Sequence, residues 1–273
     1  MRLFSARRFR LAATFAAICA ALPGLASAAP CGNTSAGFGA WKAAFAQEAR
    51  RAGVGQRGLQ ALAQAQYSTR TIAADRNQKS FSYSLEKFMQ VRGASTIVSQ
   101  GRQRRVRDTA FYDALERAYG VPAGVLIAIH GMETGFGRFM GDTPVVSAIT
   151  TLAYDCRRSA FFIPHAIGAL KLVDQGAIDG STIGARHGEL GHTQFLPGNA
   201  LAYGVDADRN GRVDFYGMAD ALASTANFLR QKGWKPGRGY QPGEPNFRAI
   251  EAWNAAGVYQ KTIAIMAARI DAR

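Results

Sequence analysis

This chain of 273 residues is poor in thiols, in imidazoles and in negative charge: it has three cysteines, four histidines, and 19 acidic against 33 basic residues. Three cysteines are too few for a disulfide-built miniature fold. His130 and His192 have no metal-like set of partners, so both read as structural or solvent-exposed residues. Long hydrophobic runs are also missing. The apolar stretch from Leu11 to Leu25 is too short and too alanine-rich to span a bilayer, and no later stretch is longer. Strand signals are scarce, so any sheet is small. There is no internal repeat and no long low-complexity tract.

What is present at the N-terminus reads as a targeting segment. Arg2, Arg7, Arg8 and Arg10 precede the apolar run, and Ala26-Ser27-Ala28 gives a small-residue cleavage site, which predicts a secretory signal over residues 1–28. Ile18 before Cys19 and Pro30 before Cys31 do not fit a lipoprotein acylation site, so no membrane anchor is expected. The reading is a secreted, soluble periplasmic protein. Removing four arginines and no acids from the net charge of +14 leaves +10. A secreted chain with that surplus does not point to nucleic acid; a polyanionic envelope is the better match, although a generally basic proteome would explain it equally. Cys31 and Cys156 remain as an even pair in an oxidising compartment, which predicts a disulfide.

The rest of the chain reads as mainly helical. Phe38, Trp41, Phe45 and Ala49 mark one amphipathic helix closed by Gly53; Leu85, Phe88 and Met89 mark another; Phe111, Leu115 and Ala118 mark a third ending at Gly120. Arg102 to Arg107 reads as a solvated link between two lobes. Thr143-Pro144 is expected to open a helix, Ser159 to cap one running to Leu170, and residues 176–204 to form an irregular, glycine-rich cleft loop. Met218 to Lys232 is helical, and two more helices fill Phe247 to Ile270.

The chemistry is concentrated in Ala128 to Arg138, A-I-H-G-M-E-T-G-F-G-R. Pro122 suits a first helical turn, Val125, Leu126, Ile129 and Met132 recur at helical spacing, and Gly135 and Gly137 stop the pattern. Glu133, four residues after Ile129 and seven after Leu126, extends the buried stripe rather than the wet face. A carboxyl group in apolar surroundings keeps its proton near neutral pH and can act as a general acid. The expectation is an enzyme of glycosidic bonds.

Further segments make a specific resemblance. E-T-G-F-G-R-F-M-G around Glu133, G-H-T-Q-F-L-P from Gly191 to Pro197, and Trp253-Asn254 with Tyr259 are similar in order and spacing to the lytic murein transglycosylase B family (transglycosylase SLT domain), in its soluble form. The likeness runs from about Phe38 to Ile270. It implies a lysozyme-like catalytic lobe over residues 109–273 and an N-terminal helical lobe over 29–108, mainly α with α+β at most. It assigns the catalytic acid to Glu133 and sugar hydrogen bonds to Gln194 and Asn254. Phe195, Trp253 and Tyr259 would offer ring faces to sugars, and Phe228 falls where the family often has a groove tyrosine. For Phe195 and Phe228 ordinary core packing is an equal alternative.

The resemblance implies cleavage of the β-1,4 bond between N-acetylmuramic acid and N-acetylglucosamine without water. One glutamate protonates the leaving oxygen and then deprotonates the 6-hydroxyl of the muramic residue, leaving a 1,6-anhydro end; the chemistry needs no cofactor. Most glycosidases need two carboxylates. Glu189 stands where relatives have a small residue and is read as an exposed loop acid; turned inward, it would raise the pKa of Glu133 or assist hydrolysis, a muramidase outcome. A non-catalytic peptidoglycan-binding protein is a further alternative, against which Glu133, Gln194 and Asn254 occur together. Arg157 and Arg158 meet either substrate carboxylates or solvent. The partner implied is the peptidoglycan glycan strand, acted on by a monomer.

Asp206 to Asp214, D-A-D-R-N-G-R-V-D, resembles the first half of an EF-hand loop. Asp206, Asp208 and Asn210 would coordinate by side chain and Arg212 by its carbonyl. Gly217 occupies the twelfth place and cannot ligate, so Asp220 would close a lengthened loop over residues 206–220. A structural Ca2+ (or Na+) ion of modest affinity is the expectation, with an ion-free polar turn as the alternative.

Overall fold

The computed structural model describes residues 29–77 and 82–272; the expected signal segment, with Cys19, lies outside the described residues. The first half contains α1 (Phe38–Arg51), α2 (Gln56–Gln64), α3 (Thr69–Arg76), α4 (Leu85–Val91), α5 (Ala94–Arg107), α6 (Thr109–Tyr119) and α7 (Ala123–Thr134). After these come β1 (Thr143–Pro144), α8 (Val145–Tyr154), α9 (Ser159–Gln175), β2 (Ile183–Gly184), α10 (Pro197–Tyr203), α11 (Met218–Gln231), α12 (Phe247–Trp253) and α13 (Gly257–Asp271). The fold is mostly helical, as the sequence implies. Among the described residues the sheet is a single antiparallel pair, Thr143 opposite Gly184 and Pro144 opposite Ile183. No helix among them is long and apolar enough to cross a membrane.

The predicted stripe of α1 is real: Phe38, Trp41, Phe45 and Ala49 are all buried, with Trp41 and Phe45 stacked at 4.6 Å between ring centroids. Helix α7 departs from its reading. It has no wet face, because every residue from Ala123 to Met132 is buried. A helix apolar all round belongs inside a core, and α7 runs between α13 and α5, with α6 and α11 beside it. Small residues permit the close crossings. A Cβ on Gly124 would lie 2.4 Å from the carbonyl oxygen of Ala267 on α13, and one on Gly131 would lie 2.4 Å from Ile97 on α5. The helix stops as expected at Gly135, whose φ of 58° is left-handed; Gly135 N–H returns to Gly131 C=O, the bond of an αL cap, and Phe136 N–H to His130 C=O.

Four local readings are corrected. Arg102 to Arg107 is not a link but the last turns of α5, where Arg104, Arg105 and Arg107 complement the helix dipole. Gly101 holds that helix against Ile127 and Ile270, so residues on both sides of position 108 share one core. Thr143-Pro144 is strand β1, and Pro144 caps α8 rather than opening it. Ser159 is the first residue of α9, capped by Arg158 without a side-chain bond. The 176–204 segment is not irregular throughout: it contains β2 and α10, the latter started by Pro197.

The predicted disulfide is formed. Cys31 and Cys156 lie 4.9 Å apart at Cα and close a span of 125 residues. Gly32 and the Tyr154–Cys156 backbone hydrogen-bond beside it. Buried Asp75 on α3 binds the guanidinium groups of both Arg157 and Arg158, and Asp155 accepts Arg76 at 2.7 Å. Arg157 and Arg158 are therefore held by protein carboxylates.

Candidate active site

Glu133 is the one residue of the last three turns of α7 that reaches open space. It lines a groove of about 950 Å3 together with Asn77, Tyr83, Arg92, Arg158, Glu189 and Trp253. A smaller recess of about 180 Å3 brings Glu133 and Glu189 together with Gln194, Asn199, Asn254 and the apolar Phe195, Leu196 and Trp253.

One oxygen of Glu133 is fully engaged. Oε1 accepts the Tyr259 hydroxyl at 2.5 Å and Trp253 Nε1–H at 3.3 Å. With two donors on Oε1, the proton of the neutral acid resides on Oε2. Burial pushes the Glu133 pKa up to about 7; the hydrogen bonds from Tyr259 and Trp253 and the charge of Arg92 pull it down, and the charge of Glu189 raises it. A carboxylic acid with that pKa can give and recover a proton near neutrality.

The loop opposite is fixed by short-range geometry. Leu190 and Phe195 exchange both backbone hydrogen bonds, and Ala185 N–H bonds Glu189 C=O at 3.0 Å. Gly191 is left-handed at φ 62°, and a Cβ there would meet the Phe215 carbonyl at 1.9 Å. The loop is also clamped to the end of α7. Thr134 Oγ1 donates to the His192 carbonyl at 2.7 Å, and His130 Nε2 lies 2.9 Å from His192 Nδ1. His130 is structural, as read; burial and His192 lower its pKa to about 3, so the pair is neutral. Gln194, which lines the recess, sits at φ 54° with Nε2 donating to Gly191 C=O at 2.7 Å. Asn254 uses Oδ1 to accept Ala256 N–H at 3.0 Å, so its Nδ2 has no protein partner among the described residues.

Of the aromatic residues expected to present sugar platforms, only Trp253 has a partly open ring on both spaces. Phe195 is 1% exposed and packs against Phe215, Phe228 and Trp253, touching only the small recess. Phe228 is a core residue, 1% exposed, set edge-on to Trp253 at 5.2 Å and lining neither space. Tyr259 is likewise buried; it holds Glu133 instead of offering a face. The reading of Glu189 is also corrected. It is no exposed loop acid: its side chain is 23% accessible, it lines both spaces with Glu133, and burial raises its pKa to about 7.

Sequence reasoning missed Tyr83, Arg92, Phe161 and Asn199. Tyr83 and Phe161 are exposed aromatics on the groove, a property that only the assembled fold reveals. Asn199 lies two residues after Pro197 and was within reach of the loop motif.

In the acidic loop, Asp206, Asp208 and Asp220 place ligand oxygens within 4.8 Å of one another. Asp220, buried at the start of α11, accepts Ala207 and Asp214 N–H, each at 2.8 Å. Asn210 turns its amide to Asp208 Oδ2 at 2.9 Å, and its Oδ1 accepts Arg212 N–H at 2.9 Å. Converging carboxylate oxygens are the donor set of a hard cation such as Ca2+.

Comparison with known proteins gives this geometry a family. The chain is 32% identical over 148 residues to membrane-bound lytic murein transglycosylase B of Escherichia coli, a match covering 50% of this chain and 41% of that protein; it thus spans less than half the relative's length. The structure of SltB3 from Pseudomonas aeruginosa in complex with NAG-anhNAM-pentapeptide superposes with a TM-score of 0.76 at 27% identity, covering 84% of this chain and 78% of that one. An Escherichia coli lytic transglycosylase solved in complex with calcium shares the fold, with a TM-score of 0.70 at 20% identity over 84% of this chain and 92% of that one. The transglycosylase SLT domain model matches residues 37–243, most of the chain, and the protein therefore belongs to the transglycosylase SLT domain family.

Proposed function

We propose that this protein is a lytic murein transglycosylase, cleaving the β-1,4 bond between N-acetylmuramic acid and N-acetylglucosamine in peptidoglycan to leave 1,6-anhydro ends. The observation that carries the reading is Glu133 itself: a carboxyl group on the groove whose Oε1 accepts from both Tyr259 and Trp253, which leaves Oε2 to exchange the proton that burial retains up to a pKa of about 7.

Oε2 donates to the glycosidic oxygen as the bond to C1 breaks. The resulting carboxylate, stabilised by Tyr259 and Trp253, then takes the proton of the 6-hydroxyl as that oxygen closes on C1. Water is not consumed, and no cofactor takes part. Gln194 and Asn254, which line the recess, would bind the sugar's acetamido and hydroxyl groups, and the Trp253 ring would support its apolar face. Arg92 on the groove would meet a carboxylate of an anionic stem peptide.

The N-terminal segment and the disulfide both fit export to the periplasm. A Ca2+ ion held by Asp206, Asp208 and Asp220, with Asn210 and Arg212 completing the loop, would brace the segment before α11 and stay outside the chemistry.

The test is turnover of purified sacculi. Glu133→Gln keeps the groove shape and removes the proton donor, so it should bind sacculi while losing roughly 100- to 10,000-fold or more in rate. Wild-type rates in that variant would overturn the assignment.

A further inference from the structure

Glu189 is the residue of this site that the single-acid mechanism leaves without a task. It is on the loop between β2 and α10, its backbone fixed by the Ala185 N–H bond. Its Oε1 lies 3.7 Å from His187 Nδ1. The backbone N–H groups of His187 and of Glu189 itself lie near the carboxyl group and favour its ionised form, but Oε2 is buried with no hydrogen bond of good geometry among the described residues. Arg158, the nearby cation, is already bound by Asp75. Leaving a buried acceptor unsatisfied is costly, and the cost is offset where a ligand brings the missing donor. The space beside it is of monosaccharide size and is ringed by Glu133, Gln194, Asn199 and Asn254. The last carboxyl torsion is soft, so either oxygen can turn to that space.

We propose that Glu189 is a second catalytic carboxyl group, which accepts the hydrogen bond of the 2-acetamido N–H of the sugar being cleaved and stabilises the cyclised acetamido intermediate. The proposal rests on the transglycosylase reading above. Glu133 Oε2 gives its proton to the glycosidic oxygen, and the C1–O electron pair leaves with that oxygen. The acetamido carbonyl oxygen bonds to C1, which places positive charge on the acetamido nitrogen. Its N–H then points at the Glu189 carboxylate, a charge-assisted hydrogen bond made strongest when the charge is greatest. The 6-hydroxyl oxygen next attacks C1, the bond from C1 to the acetamido oxygen breaks and returns its pair to the amide, and the hydroxyl proton goes to Glu133. Atoms and charge balance with no added reagent. The two carboxyls also disfavour each other's ionisation, so that an ionised Glu189 keeps Glu133 protonated.

The test uses the full-length protein with Glu189→Gln and Glu189→Ala. On sacculi, kcat should fall roughly 100-fold in both with little change in KM. Binding is then compared for two probes. The thiazoline derivative of N-acetylglucosamine mimics the cyclised acetamido group; its ring nitrogen bears no hydrogen until protonated, so it and the Glu189 carboxyl group share one proton, and its affinity should fall at least about tenfold in Glu189→Gln. A 1,6-anhydromuropeptide carries an ordinary amide N–H, a weaker donor than the charged form, and its binding should weaken far less. Wild-type kcat in Glu189→Ala, or equal weakening of both probes, would overturn the proposal. Glu189→Gln is nearly isosteric, so the probe comparison stands even if the alanine variant unfolds. If the wild-type protein itself made no anhydro product, the transglycosylase reading would fail first, whatever Glu189 did.

Discussion

The Tyr259 hydroxyl donates a 2.5 Å hydrogen bond to Glu133 Oε1 from a helix 126 residues further along the chain. The contact joins α13 to the end of α7, the two helices that pass close enough for Gly124 to lie beneath the Ala267 carbonyl. Their packing therefore decides which carboxyl oxygen is left to carry the proton.

Removing that hydroxyl changes the acid in a defined direction. The bond from Tyr259 favours the ionised form of Glu133 and lowers its pKa. Tyr259→Phe should raise it, by roughly one pH unit for a charge-assisted bond worth about 1.5 kcal/mol. The pH–rate profile of kcat should move to higher pH by that amount, with a lower maximum because the carboxylate formed during cleavage loses a donor. An unmoved profile would separate Tyr259 from the acid.

Glu133 and Glu189 should make the site costly at alkaline pH. Both are raised from 4.5 to about 7 by burial, so between those values the folded state holds protons that the unfolded state has lost. Stability from this source is full below pH 4.5 and declines as pH rises through 7. His130 and His187, held at about 3 and about 4, act in the opposite sense below pH 6.5. The clean measurement is a difference. Glu133→Gln should melt above wild type at pH 8, by roughly 2–4 °C per kcal/mol relieved, and lose that advantage at pH 4. A pH-independent difference would contradict the assigned shift.

The acidic loop predicts a thermal response to Ca2+. Saturating Ca2+ should raise Tm, and a chelator should reverse the rise, with little effect on turnover well below the melting range. Asp206→Ala or Asp220→Ala should remove the response. Asp220→Ala should also lower Tm without the ion, because two backbone N–H groups lose their acceptor.

The sequence carried the local signals well. The apolar spacing in α1 and the glycine stop after α7 are properties of a few adjacent residues, and so is the E-T-G-F-G-R pattern that marks Glu133. The even cysteine pair was enough to anticipate Cys31–Cys156. What failed depended on which way a side chain faces after distant segments meet. Phe195, Phe228 and Tyr259 have the composition of a sugar platform and of a core alike; only the seating of α12 and α13 against α7 and α11 shows that they are buried. The inward turn of Glu189 depends on the bonded register at Ala185, and the all-round burial of α7 on helices that come from both ends of the chain. The charge of Arg102 to Arg107 suggests solvent, while Gly101 and the dipole-compatible arginines carry the helix through.

The most direct measurement is the chemistry of the cut ends. Purified sacculi digested with the wild-type protein, then treated with borohydride and weighed by mass spectrometry, should yield muropeptides with 1,6-anhydro termini that resist reduction. Reducible termini, heavier by one water before treatment, would show hydrolysis and contradict the account.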